Sequence, residues 1–151
     1  MTLDPNTIYI VEGDQSVRDA TGVLLGLEGF SVALFADAES FLAARRPDWY
    51  GCLMIDVRMP GTDGLTLQKR LRESGSWLPV IVMTGHGDVE TARQAFLAQA
   101  VDFLEKPIDH DKLLRAIREA FSRQRAAQEN RLRQNEGARL LATLTLSLIH
   151  I

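Results

Sequence analysis

Five short apolar runs, each closing on polar or turn-forming residues, alternate along this chain with stretches whose apolar positions recur every three or four residues. Thr7 to Val11 is β-branched and aromatic without a breaker, which predicts a buried first strand ending in Glu12-Gly13-Asp14. From Ser16 the apolar spacing turns helical through Val17, Ala20, Leu24 and Leu25, and Gly29 is the expected stop. Phe30 to Phe35 alternates as a second strand, and Asp37 is placed to cap a short helix that carries Phe41 and Leu42 and is broken by Pro47. Cys52 to Ile55 is a third strand, covered on both faces, that delivers Asp56 at its end, and Pro60-Gly61 with Asp63-Gly64 mark the loop into a third helix. Pro79 to Met83 and Val101 to Leu104 predict two more strands, followed by Thr84-Gly85-His86-Gly87-Asp88 and by Glu105-Lys106-Pro107. A last helix is expected from about Asp109, with Leu113, Leu114, Ile117 and Phe121 on one face.

Strand and helix repeated five times, with strands apolar on both faces, predict an α/β fold: a doubly wound parallel sheet of five strands flanked by helices, every crossover right-handed. The ends of strands one, three, four and five then share one edge of the sheet. Glu12 and Asp14, Asp56, Thr84 and Lys106 meet there, where ligands and chemistry gather in such sheets.

Composition narrows the function classes. The 46% hydrophobic and 25% charged fractions are those of an ordinary globular protein. No apolar run is long enough to span a bilayer and the first residues lack a secretion signal, so a cytoplasmic location without membrane attachment is expected. Cys52 is the single cysteine, which excludes an internal disulfide and a cysteine-based metal site, and its neighbours make it a small core residue. The net charge of -3 divides into +3 over residues 122–140 and -6 elsewhere, so an acidic body is a poor nucleic-acid binder.

A carboxylate can attack a phosphoryl group and hold it as an acyl phosphate if positive charge and hydrogen-bond donors neutralise the transferred oxygens. Asp56 is the candidate nucleophile, Lys106 the point charge and Thr84 the hydroxyl donor; an acid that would hold a divalent metal beside Asp56 can come only from the end of the first strand.

Four blocks carry a family resemblance: Ile-Val-Glu-Gly-Asp, Met-Ile-Asp-Val-Arg-Met-Pro-Gly-Thr-Asp-Gly, Val-Met-Thr-Gly-His-Gly-Asp and Asp-Phe-Leu-Glu-Lys-Pro. Together they resemble the signature of response-regulator receiver domains, in wording nearest the FixJ-like regulators, over about residues 6–122. The resemblance implies a flavodoxin-like, CheY-like receiver fold and a two-component signalling protein, not an enzyme, that accepts a phosphoryl group on Asp56 from a sensor histidine kinase. It further implies that Thr84 is the switch hydroxyl, Lys106 the charge partner and Phe103 the aromatic whose rotamer follows the switch. Mg2+ would be held by Asp56, Glu12 and the main-chain carbonyl of Arg58, while Arg58 and His86 would tune dephosphorylation. Phosphorylation would favour a homodimer through the fourth helix, fifth strand and fifth helix. Taken alone, Phe103 is equally a core residue, His86 a loop residue and Lys106 a solvated charge.

The match departs from the family at two places. Similar domains carry two adjacent acids after the first strand, whereas here the pair reads Glu12-Gly13, so a direct magnesium ligand is missing and weakened metal binding is expected. That loss supports a competing reading, a degenerate receiver acting as a phosphorylation-independent interaction module. Gln99 stands where similar domains place a glycine at the close of the fourth helix. An aspartate-nucleophile phosphatase or a flavin protein is the third class. It is disfavoured because Arg58 occupies the second acidic position of an Asp-x-Asp pair and no glycine-rich phosphate loop follows the first strand.

Residues 123–145 are rich in Arg, Gln, Ala and Glu with Leu132 and Leu140 as sparse anchors, which predicts a helical linker and too few heptads for a coiled coil. Arg139 to Thr145 resembles the lead-in to a LuxR-type helix-turn-helix domain, the missing C-terminal domain through which DNA would be bound. Leu146 to Ile151 resembles a translated sequencing adapter, an expected non-native tail over residues 146–151.

Overall fold

The computed structural model describes residues 7–149, with side chains described to residue 142. Strands β1 (Thr7–Val11), β2 (Ser31–Phe35), β3 (Cys52–Asp56), β4 (Val80–Thr84) and β5 (Asp102–Glu105) alternate with helices α1 (Gln15–Leu27), α2 (Ala38–Ala44), α3 (Gly64–Glu73), α4 (Val89–Leu97) and α5 (His110–Ile149). The strands form one sheet in the order β2-β1-β3-β4-β5, and every neighbouring pair is parallel. The doubly wound parallel sheet expected from the chain pattern is therefore present.

Its core follows from the two-residue period of a strand. Ile8, Ile10, Cys52, Met54, Ile81 and Met83 face one side, where Leu25 of α1 and Leu113, Ile117 and Phe121 of α5 cover them. Tyr9, Val11, Leu53, Ile55, Val80 and Val82 face the other, under Phe41 of α2, Leu67 and Leu71 of α3 and Ala95 of α4. Both faces of β1, β3 and β4 are buried, whereas the outer strands β2 and β5 are only partly so. Cys52 sits in this core, where burial pushes its thiol up and leaves it unreactive.

All five helices begin on an aspartate. The side chains of Asp14, Asp37, Asp63 and Asp88 accept the backbone N–H of Val17, Ser40, Thr66 and Thr91, and Asp109 accepts that of Lys112. Only Asp37 is named as a cap by the sequence reading, because an aspartate in a loop offers no periodic signal. Asp14, one of the acids expected at the rim, is spent in this way.

The close of α4 is built from α3. Gln68, fully buried, donates Nε2 to the carbonyls of Ala95 and Ala98 at 3.0 and 3.1 Å, and Arg72 Nε reaches Ala98 O at 3.2 Å. These donors satisfy carbonyls that a helix end leaves unpaired. Gln99 follows with φ of 69°, the left-handed region a glycine enters without cost.

Helix α5 runs on without a break past residue 122 to Ile149. Gln124 anchors the start of this extension, its Oε1 accepting Gly51 N at 3.0 Å in a buried contact. Leu132, Leu140 and Leu141 further along are exposed. Of the expected tail over 146–151, residues 146–149 are helical and the last two lie outside the described residues.

Gln99→Gly is expected to stabilise the protein by about 1 kcal/mol by removing left-handed strain from a residue whose side chain is exposed. Gln99→Ala should stay within about 0.5 kcal/mol of the parent. Urea denaturation of the three proteins checks this, and equal midpoints for the glycine and alanine variants would remove the backbone explanation.

Candidate functional site

The carboxyl ends of β1, β3, β4 and β5 bring four of the expected residues to one rim. Glu12 follows β1 and is 1% exposed, Asp56 ends β3 at 5%, and Thr84 ends β4 at 1%. Lys106 lies just past β5, its backbone N–H donating to Thr84 O at 2.7 Å. Its ammonium stands 2.7 Å from Glu12 Oε2 and 3.5 Å from Asp56 Oδ2. One cation thus serves two buried carboxyl groups, and the shorter contact is to Glu12. That pairing joins residues 94 apart in the chain and leaves no spacing signal in the sequence.

Asp56 is pushed up to about 6. Burial is the largest cause, and the Glu12 carboxyl beside it adds to the rise, both as hydrogen-bond acceptor for the protonated form and as a like charge. The Lys106 ammonium and the Arg58 backbone N–H pull the other way. Gly64, the first residue of α3, allows this helix to start hard against the strand end: a Cβ there would collide with the Asp56 carbonyl and crowd Ile55 Cγ2 at 2.7 Å.

Thr84 is at the rim but its hydroxyl is turned into the loop after β4. Oγ1 donates to His86 O and accepts His86 N, both at 3.1 Å. His86 itself is exposed. Phe103 on the edge strand is half-buried, packed against the cluster under α2, α3 and α4. Arg58 is exposed, and its positive charge contributes to holding Asp88, the α4 cap, below the usual carboxylate range, behind the hydrogen bonds from Thr91.

The oxygens expected to hold Mg2+ do not make up a site of three free ligands. Both oxygens of Glu12 are engaged, Oε2 by Lys106 and Oε1 by Asp14 N at 3.2 Å. Gly13 contributes no side chain. A Cβ built at that position would face Arg58 O at 3.8 Å, beside Pro60 Cδ at 3.3 Å, which is where an acid would enter. Among the described residues no cluster of three or more His, Cys, Asp or Glu side chains could hold a metal. Octahedral magnesium demands near-ideal geometry, and the residues present do not fit it as they stand.

Among the described residues no helix is long and apolar enough to cross a membrane. Residues 8–118 match the response regulator receiver domain family. The chain is 43% identical over 134 residues to the transcriptional regulatory protein FixJ of Bradyrhizobium diazoefficiens, covering 88% of this chain and 65% of that protein. It therefore spans about two thirds of that relative's length. Among solved structures, the response regulator StyR superposes with a TM-score of 0.83 at 36% identity, covering 90% of this chain and 69% of StyR. Full-length FixJ from B. japonicum superposes at 0.76 and 42% identity, covering 91% and 68%. With the sheet order, the rim of acid, hydroxyl and ammonium, and a match over most of its length, the chain belongs to the response regulator receiver domains of two-component systems.

Proposed function

We propose that this receiver takes a phosphoryl group on Asp56 from a sensor histidine kinase and passes the change to a transcriptional output. The observation that carries the proposal is the Lys106 ammonium 3.5 Å from a buried Asp56 carboxylate at the sheet's carboxyl edge. In the transfer an Asp56 oxygen bonds to phosphorus as the P–N bond of the phosphohistidine breaks, and the bonding pair returns to the imidazole nitrogen. Asp56 must be ionised to attack, a condition met at neutral pH. Lys106 then balances the charge on the acyl phosphate, and Thr84 leaves His86 to donate its hydroxyl to a phosphoryl oxygen. Arg58 and His86 flank the site and set how readily water reaches the phosphoryl group. Loss of the Thr84 contact would loosen the loop before α4 and favour a homodimer through α4, β5 and α5, with Phe103 following the change.

A second reading has a specific observation in its favour. With Gly13 in place of an acid and Glu12 tied to Lys106, the site can hold its charge in balance without metal or phosphate, as an interaction module independent of phosphorylation would.

Labelling with acetyl phosphate across a magnesium titration separates the two. Phosphate should appear on the parent protein by intact mass and be absent from Asp56→Asn. Gly13→Asp should bind magnesium more tightly and label at least about tenfold faster, a difference of roughly 1.4 kcal/mol. A parent protein that labels at no magnesium concentration would favour the interaction module.

In the metal-free protein the charge on Asp56 has a stability consequence. Its folded value of about 6 lies above the unfolded carboxylate value, so the folded state holds a proton that the unfolded state has released. The destabilisation is absent below about pH 4, grows as pH rises toward 6 and is complete above it. Asp56→Asn should therefore be more stable to denaturant than the parent at pH 8, by about 3 kcal/mol, with the gap narrowing below pH 6. A gap that stayed constant from pH 4 to 8 would count against the raised value.

A further inference from the structure

At the opposite end of the sheet from Asp56, a cavity of about 360 Å³ opens between the α2–β3 loop, the α3–β4 loop and the extension of α5. Three arginines line it, Arg45 and Arg46 from the first loop and Arg131 from α5, against one acid, Asp48. None of the three arginines forms an ion pair among the described residues. The Arg131 guanidinium lies over the Trp77 ring, 4.9 Å from its centroid, a cation–π contact that holds the charge against the indole face. Its Nε is buried and has no hydrogen-bond acceptor.

A buried donor on a permanent cation is costly to leave unmatched, and native structures nearly always provide an acceptor. The protein around Arg131 does not supply one. As it stands Nε lies out of solvent reach, so a ligand uses the Nε edge, two parallel N–H groups that match two oxygens of a carboxylate or phosphate, only after the guanidinium turns toward the cavity. The volume falls within the range of small-molecule sites. From the unmatched Arg131 donor, the excess of arginine and the size of the cleft, we propose that this cavity binds a small oxyanion, a carboxylate or phosphate group held between Arg131 and the Arg45–Arg46 loop. Such a ligand ties the α5 extension to the body of the domain and sets the angle at which the helix leaves it. This site is separate from the phosphorylation rim and does not depend on its chemistry.

Both tryptophans of the chain, Trp49 and Trp77, line this cavity, so indole emission responds to a ligand there; Trp49 also stacks on Tyr9 and Trp77 also borders the groove beside Leu97 and Arg123, so the Arg131 variant assigns the change to this site. The full chain is titrated with inorganic phosphate and, separately, with malonate, each at constant ionic strength against chloride. A saturable change, half-complete at about 1 mM or below, is expected with at least one of them, and the arm that saturates identifies the anion class. Arg131→Met keeps an unbranched apolar stem over Trp77 and should weaken the response at least tenfold. Arg46→Gln, at an exposed position where the fold is not at risk, should weaken it by a smaller factor. A response no greater than chloride in both arms, or one that survives Arg131→Met, would overturn the site.

Discussion

Burial on both sides of the inner strands leaves this chain few places to put charge. Between Thr7 and Glu105, the three central strands carry apolar side chains up and down alike, and helices close over each face. Polar groups can enter the sheet layer only where strands end, and because all strands run the same way those ends coincide on one rim. The rim therefore collects what the faces cannot hold. Two carboxyl groups, Glu12 and Asp56, are brought so close that Glu12 disfavours the charge on Asp56, and among the described residues Lys106 is the cation in contact with both. Isolated carboxylates at that depth would be costly; a shared ammonium at 2.7 and 3.5 Å makes the arrangement tolerable without removing the strain on Asp56.

That residual strain is also what gives the site its chemical character. An aspartate held near pH 6 is ionised under neutral conditions yet sensitive to any new charge placed beside it. Gly13 matters in the same terms. It leaves a gap facing the Arg58 carbonyl, and in the absence of a second acid the balance of charge falls on Glu12 and Lys106 alone. The hydroxyl of Thr84 is hydrogen-bonded within its own loop, to both backbone groups of His86.

The opposite end of the sheet is organised by α5. Gln124 binds the start of β3 through Gly51, the strand whose far end is Asp56, and Arg131 lies over Trp77 one loop away. Contacts at that end determine how the helical extension is held, whereas those at the rim determine the charge on Asp56. Strand β3 spans the two ends, from Cys52 beside the Gly51–Gln124 hydrogen bond to Asp56 at the rim.

Much of this was legible in the order of residues alone. Continuous apolar runs, helical spacing and breakers at Gly29 and Pro47 predicted the alternation of strands and helices, because burial on both faces leaves an unmistakable composition. Boundaries shifted by a residue: β4 starts at Val80 and extends to Thr84, and β5 covers Asp102–Glu105, since hydrogen bonds to neighbours decide strand ends and composition does not. Asp56, Thr84 and Lys106 could be gathered to one rim by topology, and the missing acid at Gly13 could be read directly. Tertiary structure alone decided that Lys106 binds Glu12 more closely than Asp56, that Thr84 faces His86, that Asp14 caps α1, and that Gln68 and Arg72 close α4. The Lys106–Glu12 and Gln68/Arg72–α4 pairings join partners far apart in sequence, whereas the Thr84 and Asp14 contacts are choices among competing groups nearby in the chain. Local periodicity says which side of an element is apolar, but only the packed arrangement of several elements says which polar group lies within 3 Å of another.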